Sequence, residues 1–335
     1  MSGGQRRVIV PLEISPAAPA LGAVVHTLHG ATMGTSWCVK FSGPRQVDGA
    51  AIAHVLQGRL DEVVAQMSPW EAGSDISRFN AAPAGRWQAL PAGFAQVLAC
   101  ALAVAEQSGG AFDPTAGELV NLWGFGPPGR VSEAPQPSVL AAARERAGWQ
   151  RLALRDEEVR QAGGQVLDLS AIAKGFGVDE VARGLQQLGF DNHLVEVGGE
   201  LRGSGLRPDG QPWWVDLQTP PDAAGLGPTR LALHGLAVAT SGDYLRYFDD
   251  ADGVRRSHTL DPRSGEPVAH GLASVSVLHA ECMWADAWST ALTVLGPVKG
   301  LALAQRLGLA ALFVERRGAA WREHLSPALA AMADE

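Results

Sequence analysis

The chain has 335 residues, 46% hydrophobic and 19% charged, so it is long enough to bury a substantial core as one large domain or two lobes. Its net charge of −8, with no basic run, argues against a nucleic-acid partner, because a phosphate backbone is bound through clustered Lys and Arg. The cysteines Cys38, Cys100 and Cys282 include no C-x-x-C pair, so neither a zinc site nor a disulfide framework is indicated.

The N-terminal residues 1–23 are predicted to be an unstructured lead-in. Their apolar run, Val8 to Leu12, contains Pro11 and is followed by Glu13, whereas a secretory signal needs about 7 to 15 apolar residues. No stretch of the chain reaches the roughly 18 uninterrupted apolar residues of a membrane span. The sequence as written therefore predicts a cytoplasmic protein without a membrane span.

The first third of the chain is predicted to begin with strands and continue with helices. Val24 to Phe41 indicates two strands joined around His29–Thr35. Apolar residues recur at helical spacing in Val47 to Met67, which predicts an amphipathic helix. A polar loop is expected over Trp70–Asn80, and a second helix over Phe94–Gln107.

The middle of the chain has weaker signals. Residues 111–126 are rich in glycine and in aromatic residues, which in such a loop more often pack against the core than bind a ligand. A short helix is predicted over 138–147. Leu152–Arg155 and Val166–Leu169 are predicted to form a hairpin around Gly163-Gly164.

The segment Asp168–Asp179 is the most distinctive stretch of the sequence. It places an acid, a turn of small residues and Lys174 directly before a run with helical apolar spacing. Free N–H groups at a helix start favour anions, so this arrangement predicts a cradle for a phosphate, although a solvated lysine near a helix start is the alternative. Neither the G-x-x-x-x-G-K-[ST] nor the S-x-x-K motif is present. A strand over Leu194–Val197, ending in two glycines, follows.

The second half is predicted to form a largely antiparallel sheet. Its strand-like runs are separated by Gly and Pro turns and lie at 213–217, 230–233, 236–240 and 272–278. Segments with hydroxyls and acids follow some of these strands and include Asp243 and His258. A lone histidine in such a place is otherwise a surface or hydrogen-bonding residue.

A helical run over Trp284–Leu295 carries Asp286 and Thr290 four residues apart, which puts a carboxylate and a hydroxyl on one face of a helical turn. Both are hard oxygen ligands, which favour Mg²⁺ over a softer metal. The alternative is a capping Asp followed by a Thr that bonds back to the helix backbone.

Eight motifs taken together resemble the ApbE family, the FAD:protein FMN transferases, and occur in the order seen there. They are His29–Thr35, Ser74–Asn80, Phe112–Thr115, Asp168–Gly175, Gly198–Arg202, Thr240–Tyr244, His258–Pro262 and Ala285–Thr290. The resemblance extends from about residue 25 to 315. We expect an α+β fold, similar to the ApbE and T-fold proteins, with two intimately packed lobes, a largely antiparallel or mixed sheet and flanking helices. A single catalytic domain is predicted over residues 24–320, with FAD between the lobes and a tail over 321–335.

The resemblance implies that FAD is a substrate. The enzyme would move FMN from FAD to a Thr or Ser hydroxyl of a target protein, with Mg²⁺ as cofactor, and release AMP. Metal ligands carried over from the family are the backbone carbonyl of Ala171 and the side chains of Asp286 and Thr290. Residues carried over as flavin-nucleotide contacts are Met33, Trp70, Ala111, Phe112, Asp113, Asp168, Lys174 and His258. Tyrosine is frequent in the family where Trp70 stands.

The catalytic base is predicted to be His258 or Asp243, because a threonine hydroxyl must lose its proton to attack phosphorus. Two other functions share these motifs: an Mg²⁺-dependent FAD pyrophosphatase that yields FMN and AMP, and a flavin-binding protein without turnover. The target is expected to be an electron-transfer flavoprotein carrying a [DE]-x-x-[ST]-G-A-T motif, which this chain lacks. Both a monomer and a homodimer are compatible with the sequence. The lipoprotein signal of many family members is missing, and a periplasmic location is implied only if the N-terminus starts elsewhere.

Overall fold

A computed structural model of the chain describes residues 7–14, 19–131, 133–223, 225–244, 247–249, 255–318 and 320–333. Its strands are β1 (Arg7–Ile9), β2 (Val24–Thr32), β3 (Thr35–Gly43), β4 (Trp87–Ala89), β5 (Ala153–Arg155), β6 (Glu158–Arg160), β7 (His193–Val197), β8 (Glu200–Ser204), β9 (Trp213–Asp216), β10 (Thr229–Leu233), β11 (Leu236–Gly242), β12 (Tyr247–Asp249), β13 (Arg255–Ser257), β14 (Leu260–Asp261), β15 (Glu266–Pro267), β16 (Leu272–His279), β17 (Ala310–Arg317) and β18 (Ala320–Leu325). Its helices are α1 (Gly49–Met67), α2 (Asp75–Asn80), α3 (Ala92–Gln107), α4 (Gly117–Leu122), α5 (Pro137–Arg146), α6 (Ala173–Gln187), α7 (Cys282–Leu307) and α8 (Pro327–Ala330), with a single 3₁₀ turn at Trp149–Arg151.

An eight-stranded sheet forms the centre of the protein. Its strand order is β18-β17-β16-β11-β8-β7-β3-β2, and every neighbouring pair is antiparallel. This confirms the predicted α+β class and the largely antiparallel sheet. Helices α6 and α7 pack against the middle strands of the sheet, and α1 packs against α6 and β2. The two long helices are thereby held side by side over the sheet.

The two halves of the sequence share one apolar core. Phe94 of α3 lies in the same cluster as Val275 of β16 and Trp288 of α7, and each is at most 3% exposed. Sequence-distant helices and strands therefore bury the same surface, as expected for intimately packed lobes. No helix in the described part of the chain is both long and apolar enough to cross a membrane.

The predicted amphipathic helices are confirmed. In α1 the buried positions Ile52, Leu56, Leu60 and Val63 recur at intervals of three and four residues. The helix begins at an N-cap, Asp48, whose carboxylate accepts a hydrogen bond of 3.0 Å from the Ala51 N–H.

The prediction of an unstructured lead-in over residues 1–23 is wrong for residues 7–9. Strand β1 pairs in parallel with β10, and Ile9 is 1% exposed in an apolar cluster beneath the main sheet. The Arg7 guanidinium also forms an ion pair of 2.9 Å with Glu323 on β18. A short apolar run that is too weak to predict a strand by itself is stabilised by this tertiary burial. The segment predicted as a tail likewise contains the edge strand β18 and helix α8.

The predicted hairpin around Gly163-Gly164 is also wrong. Strands β5 and β6 turn at Asp156-Glu157, where Asp156 has a left-handed φ of 52°. The segment around Leu167 is paired instead with a side chain, because the Asn80 amide donates to the Leu167 carbonyl (3.0 Å) and accepts from its N–H (2.7 Å). Asn80 belongs to α2, a helix within the predicted loop, which Ser74 caps by accepting from the Ser77 N–H at 3.1 Å.

Candidate active site

Helices α6 and α7 cross so closely at their N-terminal turns that each satisfies polar groups of the other. The Gly175 N–H in the first turn of α6 donates to Asp286 Oδ2 of α7 at 2.9 Å. Conversely, the Asp179 carboxylate of α6 accepts from the N–H groups of Cys282 (3.0 Å) and Met283 (2.9 Å), the first two residues of α7. Four N–H groups at a helix start lack partners within the helix, so this reciprocal capping stabilises the crossing.

Gly175 makes the close approach possible. A Cβ placed on this residue would lie 2.5 Å from the Cys282 carbonyl oxygen and 2.8 Å from Asp286 Cβ. Any larger side chain would therefore push the two helices apart. Gly175 therefore serves the packing of the two helices.

Lys174, Glu200 and Asp286 bring three more charged side chains to this crossing, beside Asp179, which pairs with Arg202. Lys174 Nζ donates to Glu200 Oε1, and Glu200 is the first residue of β8, immediately after the Gly198-Gly199 turn. Burial raises the pKa of Glu200 to about 7; the Lys174 ammonium opposes this rise and the Asp286 carboxylate adds to it. Burial lowers the pKa of Lys174, but the carboxylates of Asp286 and Glu200 outweigh burial, and the net direction is upward. Burial also raises the pKa of Asp286, against the opposing effects of Lys174 and the Gly175 N–H.

Thr290 is held by a hydroxyl network one turn after Asp286. Ser241 Oγ of β11 lies 2.7 Å from Ser289 Oγ and 3.0 Å from Thr290 Oγ1. The alternative for Thr290 was a hydrogen bond from its hydroxyl to the helix backbone. Such bonds are instead made by Ser289, which donates to the Asp286 carbonyl at 2.8 Å, and by Thr293. Asp286 and Thr290 therefore lie on adjacent turns of one helix, as their spacing predicted.

The turn before α6 contains Ala171, the third residue predicted to bind the metal ion. Asp168 Oδ1 accepts from the Ser170 N–H at 2.7 Å, which closes a local turn ahead of Ala171. The Asp168 N–H donates to the Pro114 carbonyl at 2.8 Å, which joins this turn to the 111–115 loop. Ala171 lies half-buried two residues before the helix begins.

A groove of about 360 Å³ opens beside Asp168. Its lining comes from the loop after α1, helix α2 and the segment after α4, and comprises Pro69, Ser77, Asn80, Ala81, Gly117, Asn121, Pro127, Pro128, Val166, Leu167 and Asp168. Trp70, which follows the lining residue Pro69, is 51% exposed. An exposed indole at the edge of a groove is available to stack on a planar ring.

Met33 occupies the β2–β3 turn with a left-handed φ of 48°. Its side chain packs against both large apolar clusters, and its Cε lies 3.1 Å from where a Cβ of Gly177 would be. Met33 is thus positioned against the N-terminal half of α6.

Ala111, Phe112 and Asp113 direct their side chains into the protein. Ala111 is 1% exposed and Phe112 is 4% exposed. This burial agrees with the alternative given for aromatic residues in this loop, which is that they pack against the core. Asp113 accepts from the Thr115 N–H (2.8 Å), the Thr115 hydroxyl (2.7 Å) and the Trp149 N–H (3.2 Å), while burial raises its pKa. Their predicted contacts with FAD remain predictions.

The two predicted bases have different surroundings. Both oxygens of Asp243 accept from the Arg316 guanidinium, one of them at 3.0 Å. His258 lies edge-on to Phe125, with the ring centroids 6.3 Å apart. Asp243 is therefore already engaged in a bidentate ion pair.

Sequence reasoning did not assign roles to Glu200, Asp179 or Ser241. A signal existed for Asp179, which is four residues after Gly175 and so lies on the face of α6 that meets α7. The signal for Glu200 was an acid at the start of a mostly buried strand, directly after two glycines. Neither pattern reveals the partners of these two acids, because those partners lie 23 to 104 residues away.

The cluster fits a divalent cation by charge and by donor type. Two buried carboxylates, Asp286 and Glu200, face one ammonium, that of Lys174, and Glu200 Oε2 is buried without a hydrogen-bond partner. Charge that is buried without compensation is costly, and an added cation would offset it. Asp286 and Thr290 supply hard oxygens of the kind that Mg²⁺ binds, with water and phosphate completing its coordination. No group of three or more His, Cys, Asp or Glu side chains suited to a metal occurs in the described residues, and Asp286 is the one side-chain carboxylate among the predicted metal ligands.

A buried oxygen-rich site at a helix crossing, beside an open groove in an α+β protein, is of the kind that can hold phosphate groups together with a divalent cation. The sequence profile of the ApbE family matches residues 33–313, and the chain belongs to that family.

Similar proteins cover almost the whole chain. It is 35% identical over 322 residues to the FAD:protein FMN transferase of Klebsiella pneumoniae, a match that covers 93% of this chain and 90% of that protein. The FAD:protein FMN transferase of Haemophilus influenzae is 36% identical over 318 residues, with 92% of each chain covered.

Two solved structures have the same fold. The apo form of the Pseudomonas stutzeri flavinyl transferase ApbE superimposes with a TM-score of 0.86 at 39% identity, covering 92% of this chain and 97% of that one. The flavin transferase ApbE of Vibrio cholerae gives a TM-score of 0.86 at 35% identity, covering 92% and 99%.

Proposed function

We propose that the protein is an FAD:protein FMN transferase that moves FMN from FAD to a Thr or Ser hydroxyl of a target flavoprotein and releases AMP. The observation that carries this proposal is the Asp286–Thr290 cluster, present in a chain that aligns with at least 90% of the length of two curated FAD:protein FMN transferases. We expect the target to carry a [DE]-x-x-[ST]-G-A-T motif.

The reaction is a displacement at phosphorus. The hydroxyl oxygen of the target forms a bond to the phosphorus of the FMN half, the bond from that phosphorus to the bridging oxygen breaks, and AMP leaves with the electron pair. The hydroxyl proton passes to a base. Such phosphoryl-type transfers depend mainly on positioning and on neutralisation of charge, so the protein needs few covalent steps of its own.

Asp286, Thr290 and the backbone carbonyl of Ala171 would hold Mg²⁺. When bound, the ion neutralises negative charge on the pyrophosphate and orients it. Ser241 fixes the Thr290 hydroxyl, and the Gly175 N–H fixes one oxygen of Asp286. Lys174 uses one of its three N–H donors on Glu200, which leaves the others for phosphate oxygens.

We propose His258 as the base. Asp243 can accept a proton only if its bidentate ion pair with Arg316 breaks. The flavin nucleotide would enter along the groove that Asp168 and Pro69 line, and the exposed Trp70 directly follows Pro69 in the chain.

The deciding experiment incubates the pure protein with FAD and Mg²⁺, with and without an acceptor protein carrying the motif. Protein-linked FMN together with AMP supports the transferase. Free FMN and AMP, formed at the same rate with and without acceptor, would identify a pyrophosphatase, and unchanged FAD would identify a flavin-binding protein. Asp286→Asn tests the site, and Asp209→Asn, which removes an exposed carboxylate in the loop before β9, is the matched control.

A further inference from the structure

Glu200 is a buried acid whose position is fixed by the backbone. It follows the two-residue turn Gly198-Gly199, where both glycines have left-handed φ values of 57° and 99°. Its side chain is 4% exposed, and its only hydrogen-bond partner in the described part of the chain is Lys174, because Oε2 has none. A buried carboxylate with one oxygen unpartnered is expensive to maintain, so an apolar residue would stabilise the fold better.

Two carboxylates, those of Glu200 and Asp286, are candidate ion-pair partners of the Lys174 ammonium. The residue next to Lys174, Gly175, contacts Asp286, yet the only ion pair of Lys174 in the described residues is with Glu200. Asp286 is instead held by the neutral Gly175 N–H. The Lys174 ammonium is therefore not paired with Asp286, the carboxylate that is available as a strong metal ligand.

We infer that Glu200 is a positioning residue that holds Lys174 away from Asp286, so that Asp286 can bind the divalent cation. The inference rests on the proposed function, since it assigns Asp286 to that cation. Without the Glu200 charge, Lys174 pairs with Asp286, and a metal ion must displace the ammonium before it can bind. Loss of Glu200 also removes one negative charge from the site, which acts in the same direction.

A purely structural role makes a different prediction. If Glu200 only supports the fold, its neutral isostere Gln changes thermal stability but not the metal affinity of the folded protein. If Glu200 acts through Lys174, its effect on metal affinity depends on whether Lys174 is present. A double-mutant cycle separates these two cases.

The test measures Mn²⁺ binding by electron paramagnetic resonance in the nucleotide-free protein, where neither the proposed contact of Lys174 with phosphate nor chelation of Mn²⁺ by free nucleotide contributes. Wild type is compared with Glu200→Gln, Lys174→Met and the double variant. Glu196→Gln removes the same charge from the exposed position of the same hairpin and is the matched control. Asp286→Ala reports whether the measured Mn²⁺ occupies the proposed site. Thermal melts verify that each variant is folded.

Glu200→Gln should raise the half-saturating Mn²⁺ concentration about tenfold or more, and in the Lys174→Met background its effect should shrink to about threefold or less. Lys174→Met alone should bind Mn²⁺ at least as tightly as wild type, and this carries the test if Glu200→Gln does not fold. Three results would each overturn the inference. The first is a Mn²⁺ affinity of Glu200→Gln equal to that of wild type, and the second is an effect of Glu200→Gln that is as large in the Lys174→Met background. The third is weaker Mn²⁺ binding by Lys174→Met than by wild type. Equal Mn²⁺ binding by wild type and Asp286→Ala would instead overturn the metal site of the proposed function.

Discussion

Gly175→Ala is expected to destabilise the protein and to disturb the site at the same time. The new Cβ would lie 2.5 Å from the Cys282 carbonyl oxygen, 2.7 Å from its carbonyl carbon and 2.8 Å from Asp286 Cβ. Two of these atoms are backbone and cannot rotate away, so the helices must separate. Overpacking of this kind costs about 2 to 3 kcal/mol. Ala gains about 1 kcal/mol over Gly in a helix, and the net loss in the free energy of unfolding is about 1 to 2 kcal/mol.

A matched control lies in α1. Gly58 is also within a helix, and a Cβ there meets no atom within 4 Å, so Gly58→Ala should stabilise the protein by about 0.5 to 1 kcal/mol. Urea unfolding of both variants measures the contrast, and Mn²⁺ binding by Gly175→Ala measures the displacement of Asp286. If Gly175→Ala were as stable as Gly58→Ala, the close crossing of α6 and α7 would be incorrect.

Asp286→Ala should abolish FMN transfer while the protein stays folded, measured as protein-linked flavin fluorescence; full activity at low Mg²⁺ would contradict the metal site. Lys174→Met should weaken FAD binding by about 1.5 to 3 kcal/mol, measured by titration, because it removes a charged donor. Trp70→Asn should weaken FAD binding by about 0.5 to 1.5 kcal/mol and raise the ratio of free to protein-linked FMN, and an unchanged ratio with unchanged affinity would place the indole outside the site. Burial lowers the pKa of His193 to about 4. Its contribution to stability is therefore complete above pH 6.5 and is lost as the pH falls towards 4, by up to about 3 kcal/mol, and His193→Gln should flatten that part of a pH series of urea unfolding curves.

The sequence predicted those elements whose burial repeats regularly. Helix α1 buries one face and strand β2 alternates between half-buried and exposed residues, and that periodicity is visible without knowledge of any partner. Strand β1 could not be predicted in this way, because its three residues are stabilised by contacts with distant parts of the chain: pairing with β10, burial of Ile9 and the ion pair with Glu323. The Leu167 segment was mistaken for a strand because its hydrogen bonds go to the Asn80 side chain, which local propensity does not reveal.

The residues of the site were likewise predictable only where they lie within one element. Asp286 and Thr290 are local to one helix, so their spacing placed them together. Glu200 and Ser241 join them through contacts between distant segments, and no local pattern reports such contacts. Even the Lys174 side chain, which was expected to face a phosphate, is shared with an acid that the folded sheet brings to it.

The reciprocal capping of α6 and α7 also determines when, during protein synthesis, the site can form. Gly175 and Asp286 are 111 residues apart, an interval that a ribosome takes about 6 to 22 s to traverse at about 5 to 20 residues per second. Once Glu200 has been made, the nascent chain carries Lys174 and Glu200, whose charges cancel, but it still lacks Asp286, the carboxylate proposed to bind the cation. The growing chain cannot bind the divalent ion at this site until Asp286 has been made, so loading follows the synthesis of most of the protein.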